Sequence, residues 1–304
     1  MTQLNIIFLG TGGSWPTVKR NVTSIAIKRG REIILFDCGE GTQRQFQKSK
    51  LSYMQISKIF ITHFHGDHFL GIPGLIQTMQ LNDREKPLHI YGPKGMVDLT
   101  KQLLSLGYFK PSYELIAHEI DEVDELDFNE YKIKPFRVNH GIPALGYSLI
   151  ENKRPGKFNK KKALELGIPE GPFFSRIQKG QTITLENGKK ITPEMILGPA
   201  RDGRKIVISG DTRPIKKIID FSKDADVLIH EATFSSEFKD IAGDYGHSTS
   251  IDAANIAKKA NVKKLFLTHI SPRHLDASEL EKEARNIFKN SFVPRDFQEI
   301  EVKL

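Results

Sequence analysis

The run Phe60-Ile61-Thr62-His63-Phe64-His65-Gly66-Asp67-His68 places three histidines and an aspartate in the pattern H-x-H-x-D-H at the end of an apolar stretch. Imidazole nitrogen and carboxylate oxygen suit zinc and its neighbours. Gly66, which carries no side chain, lets the four groups splay toward two points rather than one, so the spacing suggests two metals. An incidental polar loop accounts for one or two such groups. It does not account for four crowded directly after an apolar strand, where packing requires none of them.

Two metals with three or four ligands each need more than this loop supplies. Three later sites fit, each following an apolar run: His140 after Tyr131 to Val138, Asp211 after Lys205 to Gly210, and His269 after Lys264 to Thr268. On spacing, His63, His65 and His140 serve one metal, Asp67, His68 and His269 the other, and Asp211 bridges. A metal pair of this kind lowers the pKa of a shared water and stabilises both attacking and leaving oxygens, which is the chemistry of hydrolysis. Asp67 stands where it can also take a proton from that water. Asp37 ends another apolar strand, so it either caps the Gly-rich turn that follows or supports the metal shell, and the supporting role is the one expected.

Ligands at strand ends imply a sheet scaffold with a convergent site along one edge. Strands are expected at 4–9, 24–28, 32–36, 58–62, 88–91 and 297–302. Arg29-Gly30-Arg31 forms a hairpin turn, and Thr182 to Ile191 forms a second hairpin about Asn187-Gly188. Helices are expected at 43–51, 69–81, 96–105 and 251–260, the last capped by a hydroxyl of Ser248-Thr249-Ser250, and from Ser278 to about Lys289 with capping-box spacing. Gly10-Thr11-Gly12-Gly13-Ser14-Trp15-Pro16 is a tight loop and not a dinucleotide fingerprint, because Trp15 replaces the third glycine and Pro16 follows. His89 and His118 read as satisfied histidines away from the site. The architecture is α+β, two mixed sheets packed face to face with helices outside.

The 304 residues are expected to form one domain carrying an insertion at about 151–199. Cys38, the single cysteine, excludes an intrachain disulfide. No apolar run is long enough to cross a bilayer, and a cytoplasmic location is expected. The formal charge is +8, concentrated in one place. Glu151 to Lys205 holds thirteen Lys/Arg against six Asp/Glu, whereas Glu114 to Glu130 holds eight acids and no Lys or Arg. A local basic patch on an otherwise balanced chain is the footprint of a polyanionic partner, although a solvated lysine-rich loop has the same composition.

The hexapeptide is the signature of the metallo-β-lactamase superfamily. His230-Glu231-Ala232-Thr233, His247 in a Gly-His-Ser turn and the basic Gly/Pro-rich segment resemble the short, dimeric ribonuclease Z family over nearly the whole chain. The resemblance implies the metallo-β-lactamase αβ/βα sandwich, the same seven ligands, and two zinc ions, with manganese or iron as substitutes. It implies a homodimer acting on precursor transfer RNA. The reaction would cut after the discriminator nucleotide, leaving a 3′-hydroxyl on the tRNA and a 5′-phosphate on the trailer. Asp67 would act as base, with His247 as proton donor oriented by Glu231. The 151–199 segment corresponds to the family's tRNA-gripping arm, in which Lys160, Lys161, Lys162, Gly171, Pro172 and Lys179 would meet substrate. The family loop Pro-x-Lys-x-Arg-Asn appears as Pro16-Thr17-Val18-Lys19-Arg20-Asn21, so Pro16, Arg20 and Asn21 are expected at the substrate's 3′ end. The lysine is displaced by one position, which puts rejection of CCA-bearing ends in doubt. Competing readings are another hydrolase of the superfamily acting on a small phosphodiester or thioester, a single-strand nuclease, and a non-catalytic RNA binder. The first has no use for the arm, and the last has no use for intact ligands.

Overall fold

Leu4, Ile6 and Phe8 alternate with Ile7 and Leu9, and all five are buried, because their strand is covered on both faces. In this computed structural model, which describes residues 2–304, β1 (Leu4–Gly10), β2 (Ser24–Arg29), β3 (Glu32–Phe36), β4 (Ile56–Phe60), β5 (Leu88–Gly92) and β6 (Leu115–Glu119) lie side by side in one sheet. The other sheet holds β7 (Leu126–Asp127), β8 (Tyr131–Arg137) and β9 (Leu145–Glu151). After a small separate hairpin of β10 (Ile183–Thr184) and β11 (Lys190–Ile191), that sheet continues with β12 (Lys205–Ile208), β13 (Val227–Glu231), β14 (Leu265–Thr268) and β15 (Ser291–Phe292). The last strand, β16 (Glu299–Glu301), returns to pair with β1. Strands β3 to β6 run parallel, as do β12 to β15.

Leu4, Ile6, Phe8, Phe36, Phe60, Tyr147, Ile206, Ile229 and Phe266 fill the space between the sheets. The outer face of the first sheet packs on α1 (Thr42–Lys48), α3 (Ile72–Leu81) and α4 (Met96–Leu104), and α2 (Gly66–Phe69) is a single turn at the sheet's edge. The second sheet's outer face is covered through Ile218, Ala253, Ala257, Leu280 and Ala284, which lie on α7 (Lys216–Ser222), α9 (Ser250–Lys259) and α10 (Ser278–Ile287). A short helix α8 (Lys239–Tyr245) leads into the turn carrying His247.

Several local expectations are corrected. The single helix at 69–81 is two, because Gly71 packs where an added Cβ would lie 2.1 Å from the Gly39 carbonyl and Pro73 sits in the first turn of α3. Gly66 begins α2 instead of forming an open turn. Thr249 does cap α9, in a reciprocal box with Asp252. At α10, however, Ser278 lies inside the helix and its hydroxyl donates to Asp276 Oδ2, so no capping box forms. His89 and His118 face each other across β5 and β6 with ring nitrogens 3.0 Å apart, stacked beside Tyr91.

The segment between β9 and β12 has more order than its Gly/Pro content suggests. Helices α5 (Lys160–Glu165) and α6 (Pro172–Gln178) and the β10–β11 hairpin surround Ala163, Ile168, Ile177, Ile183, Ile191 and Ile196. Its two ends are tied by one buried ion pair. Arg204 Nε donates to Glu151 Oε2 at 2.6 Å and Nη2 to Oε1 at 2.8 Å, and Arg29 Nε reaches Glu151 Oε1 at 3.0 Å. Arg204 also donates to the carbonyls of Thr2 and Val302, so the stem of the insertion and both ends of the chain meet at one guanidinium.

Burial alone would raise the Glu151 pKa, but hydrogen bonds from Arg204 and Arg29 hold it below the ordinary carboxylate range. A depressed carboxylate stabilises the fold above its unfolded pKa, and that contribution disappears as pH falls through the folded value. Glu151→Gln leaves two buried cations without their partner, and an unfolding free energy lower by about 3–5 kcal/mol is expected at pH 7. In denaturant titrations the gap between variant and parent should close as pH is lowered below about 4. Equal stability at pH 7 would remove this pair from the account.

Candidate metal centre

Five of the site's acid and histidine side chains sit at or just past the C-terminal ends of parallel strands: Asp37 after β3, His63 after β4, Asp211 after β12, Glu231 ending β13 and His269 after β14. His140 follows β8, while His65, Asp67 and His68 come from the turn that opens α2. Asp37 and His269 both adopt left-handed backbone, φ 57° and 56°, a conformation that costs a non-glycine residue about 1–3 kcal/mol and turns each side chain back over its strand end. Gly13 lies flat on the His269 imidazole, where an added Cβ would stand 2.4 Å from the ring.

The hydrogen-bond network assigns the histidine tautomers. His68 Nδ1 lies 2.8 Å from Asp37 Oδ2 and His140 Nδ1 lies 2.9 Å from the Gly246 carbonyl; both oxygens only accept, so both nitrogens donate. The Thr62 hydroxyl gives its one proton to Asp37 Oδ2 and therefore accepts from His63 Nδ1 at 3.0 Å. Thr233 does the same, donating to Glu231 Oε2 at 2.8 Å and accepting from His269 Nδ1 at 2.8 Å. Four imidazoles thus commit Nδ1 to an outer acceptor and direct Nε2 inward, the arrangement that orients metal-ligating histidines.

These inward atoms meet. His65 Nδ1 lies 3.0 Å from His63 Nε2 and 3.1 Å from His140 Nε2. Lone pairs facing at that distance repel unless a cation or proton lies between them. His68 Nε2 is buried without a hydrogen-bond partner. Asp211 Oδ2 lies 3.1 Å from His269 Nε2, 3.3 Å from His68 Nε2 and 3.8 Å from both His63 and His140 Nε2. Asp67 Oδ2 lies 3.2 Å from His269 Nε2 and accepts from the Ser14 amide at 2.7 Å. Five overlapping groups suit a cation: His63 with His65 and His140; Asp67 with His68 and His269; His63 with His68 and Asp211; His140 with Asp211 and His247; and Glu231 with His247 and His269. The donor set fits one or more divalent ions.

Electrostatics point the same way. Among the described residues the ion-pair partners of Asp67 and Asp211 are imidazoles alone. Burial raises both carboxyl pKa values, yet the surrounding histidines hold both below the ordinary range, Asp67 chiefly through the His269 hydrogen bond. Burial pushes His63 well down, whereas at His68 the same effect is overcome by Asp211 and Asp37.

His247 stands at the margin of this cage. Gly246, at φ 80°, ends α8, and His247 Nδ1 reaches Glu231 Oε1 at 2.9 Å. Glu231 is buried and further held by the amides of Thr212 and Thr233. Burial would lower the His247 pKa, but the Glu231 charge and hydrogen bond lift it to about 9. The imidazolium is therefore the favoured form at neutral pH, and its ring stacks on His269 at 5.2 Å.

Pro16, Arg20 and Asn21 border a cleft of about 960 Å³. Arg20 is turned inward, donating to Thr11 Oγ1 at 2.6 Å and the Pro294 carbonyl at 2.7 Å, and Asn21 Nδ2 donates to the Glu40 carbonyl. Both brace the loop through internal partners. Lys160, Lys161, Lys162, Gly171, Pro172 and Lys179 are exposed in the inserted segment, where Lys160 pairs with Glu170 at 2.9 Å. Thr62, Thr233 and Ser14 are site residues that sequence reasoning does not find. The available signals were Thr62 directly before His63 and Thr233 two residues past Glu231.

A family profile described as "Anti-Pycsar protein Apyc1" matches residues 4–154. The chain is 47% identical to the ribonuclease Z of Methanosarcina acetivorans over 301 residues, covering 99% of this chain and 98% of that protein. The crystal structure of human tRNase Z, short form, superposes with a TM-score of 0.73 at 30% identity, covering 99% and 100% of the two chains. The metallo-β-lactamase fold protein YhfI from Bacillus subtilis superposes with a TM-score of 0.72 at 19% identity, covering 99% and 100%, a likeness of fold alone. With that architecture, these ligand sites and this identity along its whole length, the chain belongs to the ribonuclease Z family.

Proposed function

We propose that this protein is a metal-dependent endoribonuclease that removes the 3′ trailer from precursor tRNA, cutting after the discriminator nucleotide to leave a 3′-hydroxyl on the tRNA and a 5′-phosphate on the trailer. The observation that carries the reading is the Glu231–His247 pair beside a cage of inward-facing ligand atoms, in a chain 47% identical end to end to ribonucleases Z.

His63, His65 and His140 would hold one ion, Asp67, His68 and His269 a second, and Asp211 would lie between them. Zinc is the expected metal, with manganese or iron able to replace it. Bound there, divalent ions acidify water and neutralise charge on a phosphodiester. The chain's own groups do the rest. Asp67, kept ionised and pinned by the Ser14 amide, orients the attacking water and accepts its proton. His247 gives a proton to the departing 3′ oxygen, and Glu231 holds the ring in its charged form, aimed by its Nδ1–H.

The 151–199 segment is an arm built on the Glu151–Arg204 stem. Its exposed lysines, with Gly171-Pro172, grip the backbone of the tRNA with salt-sensitive affinity. Two copies pair, the arm of one delivering substrate to the site of the other, and the enzyme works in the cytoplasm.

Metal-loaded protein should cut a 3′-extended precursor tRNA just after the discriminator. Asp67→Ala should lose at least 100-fold in kcat, and replacing residues 153–199 by a short linker should weaken cleavage of tRNA but not of a small phosphodiester. Intact precursor with turnover of a small ester would leave the metal site standing and remove the substrate. Thr233→Val deletes the acceptor behind His269 and should cost 10- to 100-fold in metal affinity; isothermal titration with Zn²⁺ reads this, and an unchanged constant would remove Thr233 from the metal's support. With His247 near 9 and required protonated, kcat should fall as pH rises through about 9. Glu231→Gln removes what raises that pKa, so the falling limb should move to lower pH; a limb that stays in place assigns it to another group.

A further inference from the structure

We infer that Trp15 is the stacking platform for the base of the first nucleotide on the 3′ side of the cut. This rests on the precursor-tRNA reading above. Trp15 is the chain's single tryptophan, and the residue is 60% exposed. A large apolar ring left in water next to a reactive centre is a surface that a base can cover. The backbone beneath it is pinned on both sides. Ser14, at φ 67°, donates its amide to Asp67 Oδ2 at 2.7 Å, Gly13 rests on the His269 ring, and the Trp15 amide donates to the Gly13 carbonyl at 2.9 Å. On the other side Pro16 restricts Trp15 to extended backbone. The ring is thus carried on the residue next to the amide that holds the base Asp67, on a loop with little freedom.

The positions of the two proton-handling groups say which nucleotide it meets. His269 lies between them, stacked on His247 and 3.2 Å from Asp67. Displacement at phosphorus places the attacking and leaving oxygens on opposite sides. The discriminator nucleotide, which keeps the leaving 3′ oxygen, lies on the His247 side. The trailer, which keeps the phosphate through an equatorial oxygen, is not bound to that axis, and turning away from the departing nucleotide carries it toward Asp67 and Trp15. Beyond Trp15 the loop borders the 960 Å³ cleft, whose rim carries Lys19, Arg44, Lys48 and Arg295. Arg44 and Lys48 are exposed like charges one turn apart on α1, an arrangement unfavourable for a helix by itself and favourable for a strand of phosphates.

The lone tryptophan is its own reporter. Metal-loaded protein is titrated with precursor tRNA whose 3′-bridging oxygen at the cut site is replaced by methylene, and indole fluorescence is recorded. A trailer of one nucleotide should change the emission as much as a longer one, whereas the same tRNA ending at the discriminator, or carrying an abasic first trailer position, should not. In cleavage assays Trp15→Ala should raise KM by roughly 5- to 100-fold on normal substrate, the range that stacking one base supplies. The variant should equal the parent on the abasic substrate, and Trp15→Phe should recover most of the loss. Emission that responds equally without a trailer, or Trp15→Ala acting like the parent on normal substrate, overturns the assignment. Failure of the parent to cut precursor tRNA at all instead overturns the underlying reading, so the two failures are distinguishable.

Discussion

Asp211, buried, and Asp67, mostly so, stand together among imidazoles, and the shortage of positive charge around them is the constraint on which the rest of the structure depends. Taking one carboxylate out of water costs several kcal/mol unless it is paired, and here two share one small volume. Asp211 Oδ2 alone has five ring nitrogens within 4 Å. The rings cannot all be protonated, because His63 and His65, and His65 and His140, approach nitrogen to nitrogen. A cation resolves both difficulties at once, since it compensates the carboxylates and separates the lone pairs. The outer groups follow from that need: Asp37, Thr62, Thr233 and the Gly246 carbonyl each take an Nδ1–H, so that the opposite nitrogen of each ring is left free for a metal.

Holding that arrangement takes a scaffold stiffer than a loop. The ligands hang from the ends of parallel strands whose inner faces are locked by aromatic packing, with Phe36 against Phe60 at 5.3 Å and Phe60 against Tyr147 at 5.3 Å. Tyr147 is fully buried and donates its hydroxyl to the Ile61 carbonyl, one residue before Thr62. A core contact thereby fixes the height at which the metal loop leaves its strand. The left-handed residues Asp37 and His269 are local costs, and the sandwich around them meets those costs. Glu231 extends the same logic to His247: its oxygens accept from Thr212, Thr233 and His247, so the carboxylate that charges His247 is itself immobile.

Much of this was legible in one dimension because strand ends and ligands coincide. The apolar runs before His63, Asp211 and His269 each became a strand delivering that residue to the cage, and Asp37 lies behind His68 as a supporting acid. What was not legible depended on three-dimensional closeness. Thr62 and Thr233 matter because each hydroxyl has one proton already committed to a carboxylate, a fact visible only when the acceptor is known. Arg20 reads as a substrate contact from its motif, yet the fold gives its guanidinium internal carbonyl and hydroxyl partners. The helix at 69–81 broke where Gly71 met Gly39, a contact between segments far apart in sequence. Ser278 had the spacing of a cap but not the backbone, because the helix begins one residue earlier than the pattern implies.

Charge distribution completes the physical picture. The acidic stretch of 114–130 is spent locally: Asp121 pairs with Arg137, Glu122 with Lys217, Glu125 with Lys132 and Lys134, and Glu130 with Arg29. Exposed pairs of this kind add little stability, but they cancel the field of the cations around β8. The inserted segment has fewer such partners. Lys160 and Lys161 meet glutamates of their own segment and Lys153 approaches Asp202 at 3.9 Å, while thirteen Lys/Arg face only six acids between Glu151 and Lys205. The chain's excess positive potential is therefore left in the segment least involved in the shared core, on a unit with its own small cluster of isoleucines. On the proposed reading, a polyanion drawn to that segment would be held by charge that the metal cage does not need, so the lysines could vary binding without altering the electrostatic balance about Asp67 and Asp211.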